Sequence, residues 1–168
     1  MVATPTPHVH RYPAALEWTG TTALGYERYD RSHRVRCAPV ATELALSSDP
    51  AFLGDPAELD PERLLVAAAS SCQLLSFLAV AARARLDVVR YADEAVGEMP
   101  DDARPMRLTR IALRPRVTLR GRRVGEDRLR RLTDLAHREC FVANSLSGEI
   151  VVEPTFAWLD DAPARGQS

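Results

Sequence analysis

Three cysteines, Cys37, Cys72 and Cys140, are the residues of this 168-residue sequence best suited to nucleophilic chemistry. A cysteine thiolate attacks electrophiles, and the sulfenic acid left by an oxidant condenses with a second thiol to a disulfide. Cys72 and Cys140 stand 68 positions apart (140 minus 72). Each occupies an inward place on a different expected helix, so packing of the two helices could bring the sulfurs together. Free cysteine is also among the most buried residue types, which leaves two structural cysteines as the alternative reading. Cys37 lies in an early strand region without a comparable setting and reads as structural. Glu62 lies ten positions before Cys72, about 15 Å along a helix axis, too far to touch that thiol within its own helix. Its charge suits the positive end of the helix dipole. His137 and Cys140 are three apart on one helix, and Cys72 could add a third ligand, but no CxxC or HExxH pattern accompanies them and no metal is expected.

The elements that must hold these residues can be read from pattern. The stretch SSDPAFLGDPAELDP, residues 47–61, is a loop ending in a helix start: Asp60 suits the N-cap, Pro61 the first helical position and Glu62 the first turn. The helix is expected to run to about Arg85, with Leu64/Leu65, Ala68, Cys72, Leu75, Ala79 and Ala82 on its buried face. No charged residue falls between Leu64 and Ala82, long enough to cross a bilayer. Ser70, Ser71, Gln73 and Ser76 interrupt that run and alanines fill much of the rest, so a helix buried inside a protein explains it better. A second helix is expected over about Glu126–Cys140, with Leu129, Leu132/Thr133, Ala136 and Cys140 inward.

Short strands and turns are expected over 14–46, then strands over about 88–99 and 107–120, and a final strand in GEIVVEPTFAW. In the second of these, Ile111, Leu113, Val117 and Leu119 face the core while Arg110, Ala112, Arg114, Arg116 and Thr118 face out, and Pro115 marks an edge or a bulge. Strands, helix, strands, helix, strand make an α+β order. The length suits a single domain over 14–158, with loose ends at 1–13 and 159–168.

Twenty-two basic against twenty-three acidic residues give a formal charge of −1, so no global field would hold this chain on nucleic acid or an anionic membrane. The arginine row of the strand lacks aromatic interleaving and reads as a solvated face. The N-terminal residues have no apolar core behind a basic start, so a cytoplasmic protein is expected. An odd number of cysteines does not suggest a secreted disulfide scaffold.

DPERLLVAAASSCQLLSFL, residues 60–78, and HRECFVANSLSGEIVVEP, residues 137–154, resemble the two signature blocks of the OsmC/Ohr family, the osmotically inducible protein C and organic hydroperoxide resistance proteins. SDPAFLGD and LRPRVTL also resemble one branch of it, and the resemblance spans about residues 15–157. It implies an intertwined homodimer with antiparallel sheets wrapped around two central helices and active sites at the interface. It makes Cys72 the peroxidatic cysteine, Cys140 the resolving cysteine and Glu62 the carboxylate that orients an active-site arginine. Gln73 stands where that branch usually has His, and Leu53 where it often has Arg. Arg31, in DRSHRV, takes the arginine role because its R-x-H step resembles that branch, with Arg28 and Arg34 as alternatives.

The implied activity is thiol-dependent reduction of organic hydroperoxides in oxidative stress defence. A Cys72 sulfenic acid and a Cys72–Cys140 disulfide would be its intermediates. An external dithiol of the dihydrolipoyl type would regenerate the enzyme, with no bound cofactor. The alternative is a non-catalytic relative that binds a small apolar or electrophilic ligand in the same interface pocket.

Overall fold

Turn-forming residues around Gly20, Gly25 and Pro39 cut the first part of the chain into three short strands: β1 (Ala15–Glu17), β2 (His33–Arg36) and β3 (Glu43–Leu46). The computed structural model describes residues 8–159 and divides the chain into two compact units, one ending at Pro61 and the other starting at Glu62. In the first unit the strands pair antiparallel in the order β1-β2-β3, with Ala15 opposite Arg36 and Val35 opposite Leu44. Arg36 donates to the Glu43 carboxylate across the pair at 2.5 Å. The loop that follows folds on itself: Asp49 accepts from the Ala51 N–H at 2.8 Å to start a 3₁₀ turn at Pro50–Phe52, and the Ser47 N–H reaches Leu59 O. Cys37, expected as a structural cysteine, is exposed just after β2. Residues 8–13 are exposed and outside any helix or strand, while 1–7 and 160–168 of the expected loose ends lie outside the described residues.

The second unit is built on α1 (Pro61–Arg83), which starts where Pro61 predicts. Its buried residues are Ala69, Gln73, Phe77, Val80 and Ala81. Ala68, Leu75, Ala79 and Ala82 of the expected face are exposed and Cys72 is half-buried, so the inward face is turned by one residue, about 100°. A helix uncharged all round carries little polarity contrast to choose a side. Packing against β7 and α2 decides it: Phe77 and Val80 enter that cluster and Gln73 goes inward with them.

Then come β4 (Asp87–Ala92), β5 (Val96–Glu98), β6 (Arg110–Leu113), β7 (Arg116–Arg120), α2 (Glu126–Arg138), β8 (Glu149–Val152) and β9 (Thr155–Trp158). They form two three-stranded sheets, β4-β7-β9 and β5-β6-β8. β4 and β7 pair antiparallel, as do β5 and β6, whereas β6 with β8 and β7 with β9 run parallel. The architecture is α+β, as the element order predicts.

Each of the three strands expected here is broken in two. Pro115 and Pro154 have no N–H to give a ladder, and they sit at the breaks of the second and third. Pro115 therefore marks a break in a central strand. Asp93 stands at the first break, where its carboxylate accepts from the Arg114 N–H at 2.6 Å and the Ser70 hydroxyl at 2.5 Å. Pairing resumes across the breaks through Glu153 N–H to Leu113 O and Thr155 N–H to Pro115 O, both 2.8 Å.

The core has two clusters. One gathers Phe77, Val80 and Ala81 of α1, Val117 and Leu119 of β7, and Leu129 and Ala136 of α2; the other gathers Ala69, Ile111 and Leu113. A Cβ at Gly97 would come 2.6 Å from a methyl of Val66, so glycine is what lets α1 lie against β5. Ala112, expected on the outer face, is buried with its neighbours. The outward arginines are neutralised across the strands: Arg110 by Glu98 at 3.3 Å, Arg114 by Glu153 at 3.2 Å, Arg116 by Glu94 at 2.6 Å and Arg120 by Asp87 at 2.8 Å.

α1 is long and apolar enough to cross a membrane by length and composition, but its buried side chains belong to these clusters, which suits the core helix of a soluble protein.

Candidate functional site

Cys72 sits near the middle of α1 and Cys140 two residues past the end of α2, where Leu129, Thr133 and Ala136 continue into Cys140 as one buried stripe. Arg83, in the last turn of α1, pairs with Glu139, the residue before Cys140, and so ties the ends of the two helices together. The chain then turns sharply: Asn144 N–H bonds to Cys140 O at 3.0 Å, and the Asn144 side chain donates to Arg138 O at 2.9 Å. That turn aims two consecutive backbone N–H groups at the two sulfurs. Val142 N–H points to Cys72 Sγ and Ala143 N–H to Cys140 Sγ, each at 3.5 Å. Residues 68 positions apart in sequence thus share one small turn.

The two thiols differ in environment. Cys72 is partly open to solvent, whereas Cys140 is 1% exposed. Burial pushes the Cys140 thiol up from its ordinary 9.0 to about 11, against the opposing pull of the Ala143 N–H. The nearby Cys72 thiol pushes the same way. Cys140 therefore holds its proton at neutral pH beside a more accessible Cys72.

Around the pair lies an unusual set of buried polar atoms. Gln73 is 1% exposed, and neither its amide oxygen nor its nitrogen has a hydrogen-bond partner among the described residues; the same holds for Tyr91 Oη and His137 Nδ1. Gln73 is on α1 between Ala69, in one core cluster, and Phe77, in the other, and the Tyr91 ring packs 5.9 Å from Phe77. The Tyr91 hydroxyl is pushed well above its ordinary range, first by burial and then by the charges of Asp93 and Cys140. The Val142 and Ala143 amides, Asp93 and the burial of Gln73 escaped the sequence reading. The breaker string FVANS after Cys140 was the available signal for the amides, since such a turn leaves N–H groups free to point at a neighbour.

Glu62 is half-buried in the first turn of α1, its expected place. Arg31 belongs to the first unit, where its guanidinium donates to Tyr26 O at 2.7 Å and Tyr29 O at 2.9 Å and lies over both tyrosine rings, 4.8 and 4.1 Å from their centroids. It lines an open pocket of about 360 Å3 with Leu16, Trp18, Thr22, Tyr29 and His33. Arg28 donates to Leu24 O, and Arg34 lies 3.9 Å from Glu43. Among the described residues, no three His, Cys, Asp or Glu side chains gather as metal ligands.

A family model described as OsmC-like protein matches residues 54–155. The chain is 31% identical to an OsmC-like protein of unknown function from Vibrio cholerae; the match covers 88% of this chain and all of that one, with a TM-score of 0.79. An organic hydroperoxide resistance protein of Legionella pneumophila shares the fold at 13% identity, covering 90% of this chain and 99% of that one, with a TM-score of 0.64. The organic hydroperoxide resistance protein OhrB of Bacillus subtilis does so at 14% identity, 86% and 97% coverage and a TM-score of 0.55. None of the curated proteins matches this sequence.

Proposed function

Because the chain belongs to the OsmC-like family, we propose that it is a cysteine-based peroxidase that reduces organic hydroperoxides in oxidative stress defence. The observation that carries this reading is the convergence of Cys72 and Cys140 on the Val142–Ala143 turn. The organic hydroperoxide resistance names of the Legionella and Bacillus proteins of the same fold support the choice of substrate.

In the proposed cycle the Cys72 thiolate attacks the terminal peroxide oxygen. The O–O bond breaks, the alkoxide leaves and takes a proton as the alcohol, and Cys72 is left as a sulfenic acid. Cys140 gives up its proton and attacks the Cys72 sulfur, water departs, and a disulfide remains. An external dithiol of the dihydrolipoyl type then reduces it by two exchanges and becomes the cyclic disulfide. No bound cofactor is required. The Val142 N–H places positive dipole at Cys72, where charge must be stabilised.

The role of Arg31 and Glu62 as the activating cation and its orienting carboxylate belongs to this proposal. So does assembly as a homodimer: Leu75 is 63% exposed on α1 beside exposed Ala68, Ala79 and Ala82, an apolar face that a second copy would cover. The balanced charge of the chain and the paired strand arginines favour no nucleic-acid or membrane partner, and a cytoplasmic location fits a cycle that needs free thiols.

The engagement of Arg31 by two carbonyls and two tyrosine rings favours, as a second reading, a non-catalytic protein that binds a small apolar or electrophilic ligand. Consumption of cumene hydroperoxide and of hydrogen peroxide with dihydrolipoamide separates the two. The enzyme reading expects turnover favouring the organic peroxide, abolished in Cys72→Ser and stalled after one turnover in Cys140→Ser. An inactive wild type with slow, equal alkylation of all three thiols would leave the binding reading.

A further inference from the structure

Arg110, Arg114, Arg116 and Arg120 of the second unit are each answered by a carboxylate, but a separate group is not. Arg85, Arg122 and Arg128 make no ion pair or side-chain hydrogen bond among the described residues. With Arg123 they line a cavity of about 430 Å3 between the turn that ends α1 and the loop that leads into α2. Its other walls are apolar or glycine, and no carboxylate of the described residues lines it. Glu126, next to Gly125, is paired with Arg130 at 2.6 Å, and Asp87, next to Leu86, with Arg120 at 2.8 Å. Arg85, Arg122 and Arg128 put three unpaired like charges around one concavity, and such a hollow concentrates counter-ions.

One of the four also sits in a costly backbone conformation. Arg85 has φ +58°, the left-handed region, where it closes α1 through Arg85 N–H to Ala82 O and Leu86 N–H to Ala81 O. Glycine is the usual residue at such a helix end, because any Cβ there is strained.

We propose that this cavity binds a phosphate-type oxyanion with more than one negative charge, carried by a small molecule such as a diphosphate ester. Guanidinium groups match phosphate oxygens in bidentate pairs, and several of them together suit a polyanion over a single carboxylate. The concave shape fits one compact group, whereas a nucleic-acid backbone would need a row of unpaired cations, and the only arginine row among the described residues is neutralised. None of its lining residues touches the sulfurs of Cys72 and Cys140.

The test is calorimetric titration of the full-length protein with inorganic pyrophosphate and with inorganic phosphate, at fixed ionic strength in chloride. The expected result is one pyrophosphate per chain, bound more tightly than phosphate. Arg122→Gln and Arg128→Gln should each weaken it about tenfold or more. Arg85→Gly should weaken it similarly while leaving the melting temperature of the ligand-free protein unchanged or higher, since glycine is at ease at that φ. That combination separates lost binding from lost folding. Binding that follows total ionic strength whatever the anion, or that survives all three substitutions, would overturn the proposal. So would a single-stranded oligonucleotide that binds more tightly than pyrophosphate and loses affinity in the same variants.

Discussion

Oxidation by one equivalent of cumene hydroperoxide should stabilise this protein strongly, because the Cys72–Cys140 bond would close a loop of 68 residues (140 minus 72). The chain-entropy relation for a loop of that length gives about 4 kcal/mol at 25 °C, as an upper figure. Little native strain should be subtracted, since the Val142 and Ala143 amides already hold both sulfurs at one turn. For a chain of this size each kcal/mol moves the melting temperature by about 2–4 °C, so a rise of about 8–16 °C is expected. Thermal denaturation before and after oxidation, with a non-reducing peptide map, measures both the shift and the bond. In Cys140→Ser the same treatment should leave the melting temperature unchanged and Cys72 trappable as a sulfenic acid. An oxidised wild type that melts no higher than the reduced form, or a map that links Cys37 instead, would refute the claim that the fold pre-assembles this pair.

The raised pKa of Cys140 makes a prediction in alkali. A buried acid whose folded pKa of about 11 exceeds its ordinary 9.0 lends stability that is intact below pH 9 and lost as pH rises from 9 to 11. Urea denaturation of the reduced protein should show a loss of at most about 2–3 kcal/mol across that window, absent in Cys140→Ser; a flat wild-type profile would contradict the burial argument. Gln73→Met, which keeps the volume and removes two buried amide atoms without partners, should stabilise by about 1–3 kcal/mol in the same assay. Destabilisation would mean that the amide is hydrogen-bonded in the folded protein.

Much of this molecule is local in origin and so was legible in the sequence. Pro61 and the loop before it set the start of α1, and the three-and-four spacing of Leu129, Thr133, Ala136 and Cys140 predicts the buried stripe of α2, because helical period and end chemistry are properties of neighbouring residues. The same holds for the alternation that puts Ile111, Leu113, Val117 and Leu119 in the core. The two cysteine blocks carry the family by the same means, as contiguous strings of residues.

What the tertiary structure decided is whatever depends on a partner far along the chain. α1 presents Ala69, Gln73 and Phe77 to the core, one residue round from the expected face, because a helix apolar on every side takes its orientation from the sheets and from α2. The first strand breaks at Asp93, where no proline stands, and there the carboxylate reaches both the Ser70 hydroxyl and the Arg114 N–H. The cysteine pair itself is of this kind. Spacing could place Cys72 and Cys140 on inward faces, but only folding brings Val142 and Ala143 N–H groups to both sulfurs and buries one thiol more deeply than the other.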